Sequence, residues 1–199
     1  IGILQRVRKD SRKGDERSIV MERCRLVFSG SGGQGVITAA IIFAEAAVIY
    51  DHLNAVQSQS YGAAARGGST RSDVVIADST IHYPKVIQPN VLVCLTQQAY
   101  NDYYPIIRPG GLLLTDARFV KTEKKVDARQ VELPMYRTVQ EQIGKPILFN
   151  ICMRGSVVSL TRLVHPDSIM KVLETRIPSG FLEMNRKALD LGIEMGASE

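Results

Sequence analysis

Tryptophan is absent from the 199 residues, and aromatic side chains make up only 6% of them. A core without large rings must be built from Val, Ile, Leu and Ala. Recognition of single-stranded nucleic acid by base stacking lacks its platforms. Cysteine is scarce too: Cys24, Cys94 and Cys152 stand far apart and form no Cys-x-x-Cys pair. That spacing argues against an iron–sulfur or zinc site held by this chain and reads as reduced thiols of a cytoplasmic protein. No run of about 18 apolar residues occurs, which excludes a membrane-spanning helix. The apolar stretch Val36–Ile49 is interrupted by Glu45, as in a buried helix. Ile1–Val20 is basic but has no apolar centre, so it does not read as a secretory leader.

Charge is nearly balanced where it matters. The net charge is +5, of which +3 falls on residues 1–20 through Arg6, Arg8, Lys9, Arg12, Lys13 and Arg17 against three acids. The remainder is close to neutral, which argues against nucleic acid held on a broad basic face. Residues 1–20 lack sustained periodicity, and the globular pattern begins directly after Met21. The first twenty residues are therefore expected to be a disordered or non-native extension. Residues 21–199 are expected to be one domain.

From Arg25 onward strands alternate with helices. Apolar runs predict strands at Arg25–Ser29, Ala55–Gln57, Arg71–Ala77, Val91–Leu95 and Leu112–Thr115, with an edge strand over Val126–Leu133. Helices are predicted over Gly35–Asp51, Gln97–Ile107, Tyr136–Ile143, Ile151–Arg162, Pro166–Thr175 and Ser179–Met195, and Ser58–Ser69 reads as a loop. This alternation predicts an α/β fold of three layers, a mostly parallel doubly wound sheet with helices on both faces.

Two segments carry chemistry. Gly30-Ser31-Gly32-Gly33-Gln34-Gly35 joins a strand to a helix and satisfies G-x-G-x-x-G. Glycines there allow close backbone approach, and a helix N-terminus offers N–H groups to an anion. The remainder of a dinucleotide fingerprint fails, because the acid due about 20 residues on is replaced by Gln57-Ser58-Gln59-Ser60 and Asp51 comes too early. No Lys-Ser/Thr follows the glycines, which removes a P-loop. The second segment, Gln59–Arg71, places Arg66 beside Gly67 and Gly68 as a cationic hook suited to phosphate. His52, His82 and His165 form no triad or metal pattern.

Together these segments resemble the gamma subunit, or gamma domain, of the 2-oxoacid:ferredoxin oxidoreductases. The G-x-G-G-Q-G opening is matched by Gly30–Gly35 and the Q-S-Y-G-x-x-x-R-G-G segment by Gln59–Gly68. A strand with a following Tyr83-Pro84, a P-x-V-L-V strand at Pro89–Val93, a P-G-G turn, a strand ending in Asp116, and Pro178, Asn185, Ala188 and Gly192 continue the likeness to about Gly196. Gln-Ser-Tyr-Gly is most similar to the 2-oxoglutarate branch. Ala63-Ala64 in place of Pro-Glu, and Ser31 in place of an aromatic or basic residue, depart from the usual pattern.

The resemblance implies oxidative decarboxylation of a 2-oxoacid to an acyl-CoA with electrons passed to ferredoxin. Thiamine diphosphate and iron–sulfur clusters are then expected on partner alpha, beta and ferredoxin-like delta subunits. This chain is expected to bind no cofactor alone, no metal, no nucleic acid and no membrane, and to supply no catalytic residue. It is expected to help receive coenzyme A at a subunit interface through Gly32, Gly33, Gln34, Gly35, Ser60, Tyr61, Arg66, Gly67, Gly68 and Arg71. Two other functions compete: a purely structural assembly subunit, and a stand-alone dinucleotide-binding dehydrogenase.

Overall fold

Leu26, Val27 and Phe28 are consecutive, apolar and fully buried, which requires a strand covered on both faces. The computed structural model describes residues 2–4, 23–61 and 69–199. It contains β1 (Gly2–Leu4), β2 (Cys24–Gly30), β3 (Asn54–Tyr61), β4 (Thr70–Ala77), β5 (Val91–Cys94), β6 (Gly111–Asp116) and β7 (Ala128–Leu133). The strands form one sheet in the order β1-β3-β4-β2-β5-β6-β7. β2, β5, β6 and β7 run parallel, and β3 points with them because it and β2 are each antiparallel to β4. The mostly parallel sheet expected from the alternation is therefore present. β7 shows the edge pattern, with Val131 and Leu133 buried between exposed Gln130 and Glu132.

One expectation changes. Ser58–Tyr61 is not loop but the end of β3, paired residue by residue from Ser58↔Asp73 to Tyr61↔Thr70. β3 and β4 are consecutive strands paired antiparallel, a hairpin. The polar run Gln-Ser-Gln-Ser hid this strand, which is defined by its pairing with β4. Gln57 Nε2 donates to Ser72 Oγ at 2.8 Å, and Ser72 Oγ donates to the Ser58 carbonyl at 3.3 Å. Of the expected extension, Gly2–Leu4 pairs with Ala55–Gln57; residues 5–22 lie outside the described residues.

Among the described residues, six helices cover the sheet: α1 (Val36–Glu45), α2 (Gln97–Tyr103), α3 (Met135–Gln142), α4 (Phe149–Thr161), α5 (Pro166–Glu174) and α6 (Leu182–Ala197). α1 continues into a wider π-helical stretch over Ala46–Tyr50, which accounts for the longer helix expected to Asp51. Asp51 then anchors α5, accepting from the His165 N–H at 2.8 Å. α1 is apolar nearly all round because the sheet lies on one side and α4 and α5 on the other. Phe28 and Phe43 meet at 5.4 Å between ring centroids, each burial contributing about 1.5–3 kcal/mol.

α4 and α6 approach backbone to backbone. A Cβ on Gly155 would lie 2.1 Å from the Leu189 carbonyl oxygen, and one on Gly192 would lie 1.9 Å from that of Cys152. The opposite face of the sheet is covered by α2 and by the strap 78–90, which contributes Ile81 and Val86 to a second core with Leu92, Leu113 and Tyr100. Among the described residues no helix is long and apolar enough to cross a membrane. Cys24, Cys94 and Cys152 are free and buried, and burial pushes each thiol up to about 12, which keeps it protonated.

Candidate functional site: the glycine edge of the sheet

β2 ends at Gly30, and the chain must reverse at once to lay α1 on the sheet. Gly33 (φ 88°) and Gly35 (φ 72°) take the left-handed region that this turn needs. Gly35 is also closely packed: a Cβ there would lie 2.6 Å from Asn150 Nδ2 on α4. Gly30 leaves room for Gln34, whose Oε1 would sit 2.4 Å from a Cβ at that position. Gln34 staples the turn to the next strand: its Oε1 accepts from the Ser31 N–H at 2.8 Å, and its Nε2 donates to the Leu95 carbonyl at 3.2 Å.

The start of α1 is open. No side chain caps it, whereas α2 is closed by Thr96, whose Oγ1 accepts from the Ala99 N–H at 3.2 Å. A cavity of about 350 Å³ runs along Ser31, Gly32, Gly35, Val36, Thr38 and Thr70. It therefore borders the first N–H groups of the helix, which carry its positive dipole end. A second cavity, of about 250 Å³, lies on the other side of Gly33 and Gln34 and is walled by Phe119, Tyr136, Ile147 and Asn150.

Aromatic rings build that second wall. Phe119, Tyr136 and Phe149 meet edge to face with centroids 5.0, 6.0 and 5.9 Å apart, and the Arg118 guanidinium lies 4.7 Å from the Tyr136 centroid. Asp116, at the end of β6, organises them: its carboxylate accepts from the Tyr136 N–H at 2.8 Å and the Arg118 N–H at 2.9 Å. Burial pushes the Asp116 carboxyl above its ordinary value, and these N–H donors only partly oppose it. Beneath Asn150 lies Arg154, fully buried and in none of the ion pairs among the described residues, its Nη1 3.5 Å from Asn150 Oδ1. That contact turns the Asn150 amide nitrogen toward Gly35. Burial brings the Arg154 guanidinium down to about 9.

The expected site residues divide. Gly32, Gly33, Gln34 and Gly35 share this edge with the end of the β3–β4 hairpin, because Gly30 pairs with Thr70 and Thr70 with Tyr61. Ser60 and Tyr61 end β3 there. Arg66, Gly67 and Gly68 lie outside the described residues. Two of the expected residues have partners within the chain. Gln34, expected to hydrogen-bond a ligand, engages its Oε1 within the turn and its Nε2 on the Leu95 carbonyl. Arg71, expected near phosphate, is a strut: its guanidinium bonds Asp73 at 2.6 and 3.1 Å and the Val86 carbonyl at 2.6 Å. Sequence reasoning missed Phe119, Tyr136, Asn150 and Arg154; only Asp116, as a strand end, pointed to this wall.

The described residues include no group of three His, Cys, Asp or Glu able to hold a metal. The profile of the pyruvate ferredoxin/flavodoxin oxidoreductase family matches residues 25–195. The chain belongs to this family. It is 44% identical over 178 residues, 88% of this chain and 95% of the relative, to 2-oxoglutarate synthase subunit KorC of Methanocaldococcus jannaschii. The gamma subunit of a keto/oxoacid ferredoxin oxidoreductase from Geobacter sulfurreducens PCA is 38% identical and superposes with a TM-score of 0.80, covering 88% of this chain and 99% of that one. The 2-oxoglutarate:ferredoxin oxidoreductase of Magnetococcus marinus shares the fold, with a TM-score of 0.81 at 19% identity over 89% of this chain and 31% of the larger one. The glycine edge lies inside the matched region of this oxidoreductase family.

Proposed function

We propose that the chain is the gamma subunit of a cytoplasmic 2-oxoglutarate:ferredoxin oxidoreductase and that its glycine edge helps to receive coenzyme A at a subunit interface. The complex decarboxylates the 2-oxoacid, passes two electrons to ferredoxin and transfers the acyl group to coenzyme A. Identity of 44% across nearly the full length of a 2-oxoglutarate synthase subunit supports the substrate. For the coenzyme A role the carrying observation is the uncapped start of α1 bordering a cavity beside the hairpin end that leads to Arg66. Backbone N–H groups at a helix start, joined by a guanidinium, are suited to a pyrophosphate.

Partner alpha, beta and ferredoxin-like delta subunits carry the thiamine diphosphate and the clusters in this reading. Thiamine diphosphate supplies the electron sink for decarboxylation when bound there. The three buried, separated thiols of this chain do not fit a cluster. Its own residues bind and orient: the glycine turn presents N–H donors, and Asp116 holds the Arg118–Tyr136 wall.

The test is the reconstituted complex with Arg66→Ala. Loss of one charge-assisted contact, about 1.5–3 kcal/mol, raises the apparent KM for coenzyme A by about ten- to a hundredfold. An unchanged KM removes Arg66 from the site. A purely structural role is favoured by one observation, the engagement of Gln34 and Arg71 within the chain. It expects coenzyme A affinity to be insensitive to every variant on this edge.

A further inference from the structure

The other edge of the sheet, where the parallel strands begin, carries a feature that coenzyme A binding does not use. Arg25 lies five residues before Gly30 along β2, about 17 Å away at roughly 3.3 Å per residue. There a cavity of about 580 Å³ is lined by Arg25, Tyr83, Lys85, Ile87, Gln88 and Arg108. Three of these are cations, and among the described residues no carboxylate lines the cavity. Among the described residues, the ion pairs involve Arg71, Arg137, Arg176 and Arg186, and none of these three cations. Two of the few large apolar side chains that are exposed stand in the same place, Tyr83 at 54% and Ile87 at 66%.

This display is fixed by the fold. The strap 78–90 is pinned at Val86, whose N–H donates to Asp73 at 3.2 Å and whose carbonyl accepts from Arg71 at 2.6 Å. Val86 itself is buried, so its neighbours Lys85 and Ile87 are held outward. The strap's end is tied down as well: Asn90 Oδ1 accepts from the Arg25 N–H at 3.0 Å, and the Arg108 N–H donates to the Pro89 carbonyl at 3.1 Å. The Tyr83-Pro84 pair noted in the sequence belongs to this strap.

We infer that this face is a second docking surface, which seats a segment of a partner subunit carrying carboxylates beside an apolar side chain. The chain belongs to a family of subunits, so partner surfaces are available to it. A small anion would satisfy the cations but leave Tyr83 and Ile87 in water. A second copy of this chain would set the same cationic patch against itself in a two-fold contact, and like charges oppose that. The chain's own residues 5–22 carry six Lys/Arg against four acids, the wrong sign for the cavity. A carboxylate-bearing partner segment answers both features.

The experiment co-expresses the full chain with the other subunits of its complex and measures assembly by size exclusion and native mass spectrometry. The variants are Lys85→Glu/Arg108→Glu and, separately, Ile87→Asp. Each is expected to weaken assembly about tenfold or more, and wild-type assembly to weaken as salt rises from about 50 to about 300 mM. The isolated variants are expected to keep the wild-type melting curve, since all three side chains are exposed. If charge reversal perturbs folding, Lys85→Gln/Arg108→Gln carries the same expectation. Wild-type assembly by the charge-reversed chain overturns the inference. So does a reversal that only dissolves a homodimer of the isolated chain. Arg66→Ala in the same complexes is expected to change coenzyme A affinity without changing assembly, so the failure of one reading is distinguishable from the failure of the other.

Discussion

The two ends of the sheet solve opposite problems with the same strands. At the glycine edge the polar side chains are turned inward on the chain itself: Gln34 ties the turn to β5, Asp116 ties Arg118 and Tyr136, and Asn150 rests on Gly35. What that edge offers outward is backbone, the open N–H groups of α1. At the strap edge the backbone is closed and the side chains are offered, with Arg25, Lys85 and Arg108 around exposed Tyr83 and Ile87. An edge that presents fixed N–H dipoles suits a small, extended anion. An edge that presents cationic side chains beside apolar surface suits a protein segment. The Arg71–Asp73 pair lies between them and serves both, since Arg71 pairs in β4 near the hairpin end and also holds Val86 of the strap.

Breaking that shared strut has the largest expected effect. Asp73→Asn leaves the Arg71 guanidinium, only 16% exposed, without its counter-charge and weakens the Val86 clamp. Removing one partner of a largely buried pair is expected to destabilise by about 2–3 kcal/mol, read from urea unfolding, with faster hydrogen exchange at Val86. A smaller loss confined to the glycine edge is expected for Gly35→Ala. The added Cβ meets Asn150 in a left-handed backbone, for about 1–2 kcal/mol, and the strap should keep its exchange protection. If Gly35→Ala loosens the strap equally, the two edges are not separable.

The smallest effect is one of pH. Asp116 has its carboxyl raised by burial above 3.8, so the folded state holds that proton more tightly than the unfolded chain. Its contribution is fully present below about pH 3.8 and is lost as pH rises through the raised folded value. Asp116→Asn is therefore expected to flatten the stability profile across that window in unfolding curves measured against pH. An unchanged slope would separate Asp116 from the wall it organises.

Much of the fold was legible because burial on both faces leaves a continuous apolar run, as in β2, β5 and β6, and because α1 has almost no polar face. The last four residues of β3 were not legible: Ser58–Tyr61 is paired on β4, while its polar composition reads as loop. The glycine turn declared itself by spacing, and its nearness to the second motif followed only once Gly30 paired with Thr70. Phe119, Tyr136 and Asn150 come from three separate elements, and no local pattern joins residues that meet only through the crossing of β6, α3 and α4. The engagement of Gln34 and Arg71 was equally hidden, because a side chain's partners depend on neighbours as distant as Leu95 and Val86.

The division of labour between the edges is tested most directly by hydrogen exchange on the assembled complex, with and without coenzyme A. Protection is expected to rise over residues 31–39 and 60–71, while residues 78–90 stay unchanged because partner protein already covers them. Protection appearing on the strap, or none at the glycine turn, would contradict the account.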